Sequence, residues 1–188
     1  MLVVPVAAFM PKAAGGVITT VYGPVSMNTN SSGWDGYTLA CEMRVGLLSA
    51  ASGAPKMRCT IAFTGFSSTE TCIGYIGQAA ADHISFTGDQ VQLKWGGNTA
   101  ITGDGATLTY LSDFATLAQN FNNTADYVAA FYFAGGLAVN VVRNTVSPNA
   151  NAPVYYKAGN DAATTTKTGY TVSSGSPQMF LTQLDVST

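Results

Sequence analysis

Charge is the scarcest property of this 188-residue chain. Only 10% of its residues are charged, against about 25% in an average globular protein. Eight basic and ten acidic residues leave a formal net charge of −2. The basic residues stand singly along the chain, so they form no stripe that could neutralise a phosphate backbone. We therefore expect no nucleic-acid partner and a surface that is polar but nearly uncharged.

Cysteine is sparse as well. Cys41, Cys59 and Cys72 are an odd number, and no two of them form a C-x-x-C pair. This pattern argues against a zinc site and against a complete disulfide framework. We predict buried free thiols, and the sequence indicates no cofactor.

A long hydrophobic run is also missing. The apolar stretch Met1–Phe9 is too short to span a bilayer. It contains Pro5, has no basic residue before Lys12, and so does not fit a cleaved secretory signal. We expect an uncleaved arm and no membrane partner.

Catalytic motifs are equally hard to find. A Ser-His-Asp hydrolase needs a positioned nucleophile and a histidine base, but the chain has no G-x-S-x-G and a single histidine, His83. A surface loop histidine is the simpler interpretation. Glu42 and Glu70 are candidates for paired glycosidase carboxylates only by default. We therefore predict a non-enzymatic protein with no catalytic residues.

Metal-binding patterns are weak for a related reason. Calcium takes several oxygen ligands from carboxylates and carbonyls. Three aspartates lie in glycine-rich loops, but no D-x-D-x-D array brings them together, so the prediction is no metal. They are Asp89, Asp104 and Asp161.

The N-terminal 25 residues are predicted to form an extended arm. Prolines at 5, 11 and 24 interrupt valine-rich pieces and prevent a long interior strand. The apolar side chains of this arm would be a liability on a free monomer, so they lie either on the protein's own sandwich or on a partner subunit. We favour the partner. The predicted partner-binding residues are Leu2, Val3, Val4, Val6, Phe9 and Met10.

Residues 26–188 are predicted to form an all-β domain, an antiparallel β-sandwich or jelly roll. Short alternating runs recur about every ten residues between glycine-rich turns, which is typical of this class. In Tyr37–Val45 the odd positions are expected in the core and the even positions in water. A short helix around Phe114–Phe121 is an alternative to a strand and loop. Further strands are expected at 56–63, 71–76, 90–95, 107–111, 154–157, 169–172 and 178–186.

A central hairpin is predicted over residues 127–143. Two runs rich in Val, Phe and Tyr flank Gly135-Gly136, and a Gly-Gly pair tolerates the positive φ of a tight turn. The first run has almost no polar residue, so both of its faces should be covered.

Aromatic residues beside polar ones are candidates for glycan contact, because the CH face of a sugar stacks on a ring while its hydroxyls need hydrogen bonds. Simple core or rim packing is the alternative for each. The candidate residues are Trp34 with Asp35, Trp95 with Asn98, and Tyr155 with Tyr156.

Five segments combine turn glycines with strand aromatics: Gly33–Thr38, Ile73–Ala80, Phe86–Gly97, Tyr155–Gly159 and Thr168–Tyr170. Together they resemble a β-sandwich module of bacteriophage virion and tail proteins, which is related to the jelly-roll domain that precedes the catalytic domain in some SGNH (GDSL-type) esterases. The similarity extends over about residues 28–186, and the chain lacks the Gly-Asp-Ser nucleophile block of those esterases. The resemblance is therefore to the non-catalytic module.

The resemblance implies a virion component made in the host cytoplasm and displayed on the virion surface. The favoured role is a capsid decoration (cement) protein, a homo-oligomer and in particular a trimer, which binds capsomers of the major capsid protein through its arm and neutral polar face. The alternative is a tail or fibre protein that presents its aromatic residues to a host glycan.

Overall fold

The computed structural model describes residues 16–23, 29–31, 33–49, 52–63, 66–106, 109–135, 141–144, 153–173 and 178–188. These residues are nearly all strand or loop, and their helical structure is one 3₁₀ turn at Val45–Leu47. The described part of the chain holds no helix with the length and hydropathy of a membrane span. The strands are β1 Ile18–Tyr22, β2 Thr29–Ser31, β3 Tyr37–Met43, β4 Lys56–Ala62, β5 Thr71–Gln78, β6 Val91–Gln92, β7 Ile101–Thr102, β8 Thr109–Leu111, β9 Ala115–Thr116, β10 Tyr127–Ala134, β11 Val141–Asn144, β12 Val154–Ala158, β13 Thr171–Val172, β14 Gln178–Met179 and β15 Leu181–Ser187.

Two antiparallel sheets pack against each other, which confirms the predicted all-β sandwich. The five-stranded sheet has the order β1-β15-β4-β8, with β9 also paired to β4. The seven-stranded sheet has the order β13-β12-β3-β10-β5-β6, with β7 also paired to β5. A small third sheet has the order β14-β11-β2. The jelly-roll connectivity stays a prediction.

The main core lies between the two large sheets. Met57, Cys59 and Ile61 of β4 belong to one buried cluster with residues of β3, β5, β10 and β15. An aromatic group fills one part of it, where Phe63 stacks on Phe66 at 4.5 Å between ring centroids. The three cysteines are buried free thiols, as predicted, and burial raises the pKa of Cys59 to about 12. Burial therefore keeps these thiols protonated and unreactive.

Strand β10 is the centre of the seven-stranded sheet, and its first five residues are all buried. The prediction of a strand covered on both faces is thus confirmed. The predicted hairpin is wrong, because β10 pairs with β3 and β5 while β11 pairs with β2 and β14. Gly135 at the end of β10 lies so close to the backbone of Thr69 and Glu70 that an added Cβ would meet Thr69 O at 2.5 Å. Both edges of β10 are occupied by strands distant in sequence, so the following segment leaves this sheet.

The outer face of β3 is covered, contrary to the predicted wet face. Thr38, Ala40 and Glu42 are all buried. A second apolar cluster lies here, in which Ala40, Val128 and Ala130 pack with two residues from covering loops, Phe86 and Ala162. Alternation predicts an exposed face only when nothing packs on it, and loops far along the chain pack on this one.

Of the two alternatives for Phe114–Phe121, the structure has the strand and loop rather than the short helix. The segment contains the short strand β9 and then a loop that buries Leu117 and Phe121 in the main core. Their backbone amides donate to the carbonyls of Pro55 and Ala54, at 2.9 and 2.7 Å. Hydrogen bonds to a neighbouring turn therefore replace those of a helix.

Part of the predicted arm belongs to the sandwich. Strand β1 is the end strand of the five-stranded sheet, where it pairs with β15, and Val21 and Tyr22 are buried in the main core. The six predicted partner-binding residues, Leu2, Val3, Val4, Val6, Phe9 and Met10, lie outside the described residues.

Candidate functional site

The predicted glycan contacts fall at three separate places in the fold. Trp34 and Tyr156 meet Tyr37 at the rim of the main core. Tyr155, the neighbour of Tyr156, points to the opposite face of its sheet, as alternation along a strand requires. Trp95 and Asn98 line a cleft.

The rim group is an aromatic cluster of Trp34, Tyr37 and Tyr156. The Trp34 ring meets Tyr37 edge-on at 5.9 Å and Tyr156 edge-on at 5.5 Å between ring centroids. Trp34 and Tyr156 are partly buried against the main core, and Asp35 sits in the turn between Trp34 and Tyr37. The three rings cover part of one another's surface. This cluster therefore contributes to packing at the rim of the sandwich.

The outer face carries a network of charged groups around Glu42, whose side chain is fully buried. Its carboxylate accepts from Arg44 Nε at 2.8 Å and from Tyr155 Oη at 3.4 Å. His83 Nδ1 lies 3.0 Å from Glu42 Oε1 and 3.1 Å from Asp126 Oδ2. Burial and the nearby Glu42 charge raise the pKa of the Tyr155 hydroxyl.

This network is the group of side chains within the described residues that could hold a metal ion. Glu42, His83 and Asp126 present ligand atoms within 4.8 Å of one another. However, the guanidinium of Arg44 already pairs with Glu42, and His83 Nδ1 lies within hydrogen-bond distance of the carboxylates of Glu42 and Asp126. These side chains are thus already engaged with one another. The other acidic candidates have local partners: Glu70 accepts from Ser67 N, and the three loop aspartates bind Gln78, Ala106 and Lys157 respectively.

The turn Trp95–Asn98 positions the cleft. Gly96 and Gly97 have φ values of +57° and +83°, which is the pattern of a type I′ turn. Trp95 and Asn98 exchange backbone hydrogen bonds of 2.8 and 3.1 Å across it. The carboxylate of Asp113 accepts from Gly97 N at 2.7 Å and from Gly96 N at 3.2 Å. Both inner amides of the turn are therefore held by one side chain.

The cleft beside this turn has a volume of about 630 Å³, within the range of small-molecule sites. Its walls come from both sheets, since Ile101 and Thr102 lie on β7 and Tyr110 lies on β8. Trp95, Ile101 and Tyr110 form an apolar floor, and three exposed polar residues form the rim. The lining residues are Trp95, Asn98, Thr99, Ala100, Ile101, Thr102 and Tyr110.

Trp95 belongs to the core as much as to the cleft. It is 8% exposed, so only a small part of its ring can meet a ligand. Its indole Nε1 is buried and has no hydrogen-bond partner within the described ranges. Tyr110, which packs edge-on against Phe63 and Phe66 at 5.7 and 6.0 Å, anchors the facing wall on the aromatic core.

A smaller cavity of about 210 Å³ lies nearby. Asp113 lines it and also holds the turn. Its other lining residues are Val91, Gln92, Lys94, Phe114, Ala115 and Thr116.

The sequence singles out Trp95 and Asn98, which line this cleft, but it does not single out Asp113, Tyr110 or the two threonines of the rim. The adjacent glycines Gly96 and Gly97 are the sequence feature that marks the turn. The sequence around Asp113 does not indicate that its carboxylate holds this turn. Asp113 lies 16 and 17 residues from the glycines whose amides it accepts from. The outer-face network was also missed as a set.

No protein-family model and no curated protein sequence matches this chain. The resemblance to phage and esterase β-sandwich modules therefore stays a prediction. The interpretation of the cleft rests on its own residues.

Proposed function

We propose that this chain is a non-catalytic, carbohydrate-binding β-sandwich of a bacteriophage tail or fibre, which contacts a host glycan through the cleft at Trp95. One observation carries the proposal. Two residues that the sequence singled out for glycan contact, Trp95 and Asn98, line one cleft together with exposed threonines.

The chemistry of the cleft matches the two sides of a sugar. A pyranose has apolar CH groups, which pack on the floor of Trp95, Ile101 and Tyr110. Its hydroxyls both donate and accept, as do the amide of Asn98 and the hydroxyls of Thr99 and Thr102. The few precisely placed polar groups over an apolar floor are typical of small-ligand sites.

The virion setting is supported by the sequence resemblance over about residues 28–186. The low charge supports it as well, because a neutral polar surface suits a protein that lies against other proteins. In this setting the chain is made in the host cytoplasm and displayed on the virion surface.

The test is binding of purified protein to an array of bacterial surface glycans. Asn98→Ala and Thr102→Ala should each weaken binding about fivefold or more, as expected for loss of one ligand hydrogen bond of about 1 kcal/mol. Asn160→Ala is the matched control, because Asn160 is exposed and outside the cleft. Unchanged binding in both cleft variants would place any glycan site elsewhere.

Capsid decoration is the second candidate, and one observation favours it. Val17 and Ile18, at the start of the end strand β1, are 69% and 52% exposed, and they follow the apolar residues of the arm. Such residues are suited to contact another subunit or a capsomer.

The structure sets the best truncation for testing decoration. Deletion of residues 1–15 removes the six predicted partner-binding residues of the arm but keeps β1. Full-length protein should co-sediment with empty capsids of the phage that encodes it, and the truncated protein should not. Co-sedimentation of both forms would exclude the arm as the capsid-binding element.

A further inference from the structure

Among the residues that the structure describes, the lining of the Trp95 cleft is uncharged. It consists of two aromatic side chains, two aliphatic ones, two hydroxyls and one amide. The carboxylate of Asp113 is engaged by the Gly96 and Gly97 amides of the turn. Neither a cation nor a free carboxylate therefore contributes to the wall that a ligand would touch.

This composition disfavours an acidic ligand. A carboxylate, phosphate or sulfate that enters the cleft gives up hydration, and only a charged or strongly donating partner compensates that loss. Known anion sites use arginine, lysine or clustered backbone amides for this purpose. The amides of the Gly-Gly turn are already taken by Asp113.

The same composition disfavours a bridging calcium ion. Calcium that links a protein to sugar hydroxyls needs several oxygen ligands, usually carboxylates. The described lining residues offer hydroxyl and amide oxygens but no carboxylate. A saccharide would therefore bind the side chains directly.

Trp95 adds no charge and no accessible donor to this lining. It is more than nine-tenths buried, and its indole N–H is covered and has no hydrogen-bond partner among the described residues. A donor that no ligand can reach does not compensate the lost hydration of an anion.

We infer that the cleft takes a short, uncharged saccharide, bound directly and without a bridging metal ion. The inference rests on the proposed function, since it names the ligand class of the same site. Binding of this kind is insensitive to chelators and to ionic strength, because it contains no ion pair to screen.

The experiment uses tryptophan fluorescence in a Trp34→Phe variant, in which Trp95 is the one remaining tryptophan. The probes are neutral trisaccharides of glucose, galactose and mannose, and trigalacturonic acid as the acidic counterpart. Each is titrated in 0.1 M NaCl, in 1 M NaCl and with EDTA. We expect at least one neutral trisaccharide to shift the Trp95 emission with less than a twofold change in Kd among the three buffers, and at least tenfold weaker binding of trigalacturonic acid.

Two other outcomes would separate the two proposals. Tighter binding of trigalacturonic acid, or loss of neutral-sugar binding in EDTA, would overturn this inference while leaving a glycan site in place. If no saccharide binds Trp34→Phe or the wild-type protein, as measured by calorimetry, both this inference and the proposed function fail. Asn98→Ala in the Trp34→Phe background should weaken the response, and Asn160→Ala should not.

Discussion

Asp113 shows how one side chain can fix the geometry of a binding turn. Gly96 and Gly97 adopt positive φ values that allow the two-residue turn, but their freedom would also allow other conformations. The two hydrogen bonds from their amides to the Asp113 carboxylate select one of these conformations.

We predict that Asp113→Ala loosens the turn. Loss of two charge-assisted hydrogen bonds should accelerate hydrogen exchange of the Gly96 and Gly97 amides about tenfold. Nuclear magnetic resonance measures both amides directly, and those of β10 serve as an internal reference. Asp113→Asn keeps one acceptor oxygen and should give an intermediate rate. Equal exchange rates in all three proteins would show that the glycines alone hold the turn.

At the scale of elements, Asp185 links three strands of the five-stranded sheet. It accepts from Thr20 Oγ1 on β1 at 2.8 Å, from Arg58 Nε on β4 at 3.0 Å, and from Gln183 Nε2 on its own strand at 2.7 Å. Burial alone would raise the pKa of this carboxyl, but these hydrogen bonds and the Arg58 charge outweigh burial and lower it.

The lowered pKa of Asp185 predicts a specific acid sensitivity. A carboxyl whose pKa is lower in the folded state than in the unfolded state, where it is about 3.9, binds its proton preferentially when unfolded. Its stabilising contribution is therefore complete at a pH above that unfolded value and is lost as the pH falls through the folded pKa. Urea unfolding between pH 7 and pH 2 should show a smaller loss of stability in Asp185→Asn than in the wild type. Parallel curves for the two proteins would contradict this role.

The loop that covers the outer face is organised by Lys167, which is 2% exposed. Its ammonium donates to the carbonyls of Asp161, Ala162 and Thr164 at 2.7, 3.2 and 2.8 Å. It also lies 4.7 Å from the centroid of the Phe86 ring. Burial lowers the pKa of Lys167 to about 8, against the opposing effect of Asp161.

We predict that Lys167→Met lowers the free energy of unfolding by about 2 kcal/mol, because it leaves carbonyl groups of the loop without their donor. Lys157→Met is the matched control. Lys157 is half-buried and forms one ion pair with Asp161, so its loss should cost less than about 1 kcal/mol. Urea denaturation measures both. Equal effects would mean that the loop does not depend on the buried ammonium.

At the scale of the whole molecule, the predictable parts are those whose pattern is local. The composition of β10, rich in Val, Phe and Tyr, identifies it as a strand. The alternation of apolar and polar residues does the same for β4. Neither signal depends on which strands are the neighbours. The partners of a strand lie far along the chain. The sequence around Gly135 therefore does not reveal that β10 pairs with β3 and β5 rather than with β11. The same holds for sites. Trp95 and Asn98 are joined by a turn that the sequence encodes. Glu42 and Asp126, by contrast, meet because β3 pairs with β10, and His83 joins them from a separate loop.

Strand β1 marks the N-terminal boundary of the sandwich, and two truncated proteins test this boundary. Deletion of residues 1–22 removes the end strand and with it two core residues, Val21 and Tyr22, and it exposes the edge of β15. Burial of two such side chains contributes about 3 kcal/mol or more, and an exposed strand edge promotes aggregation. We expect this protein to unfold at a lower temperature and to aggregate more than one that lacks residues 1–15, in which β1 and its pairing with β15 are kept. Thermal unfolding with light scattering compares the two proteins, and similar curves would show that β1 is dispensable to the sandwich.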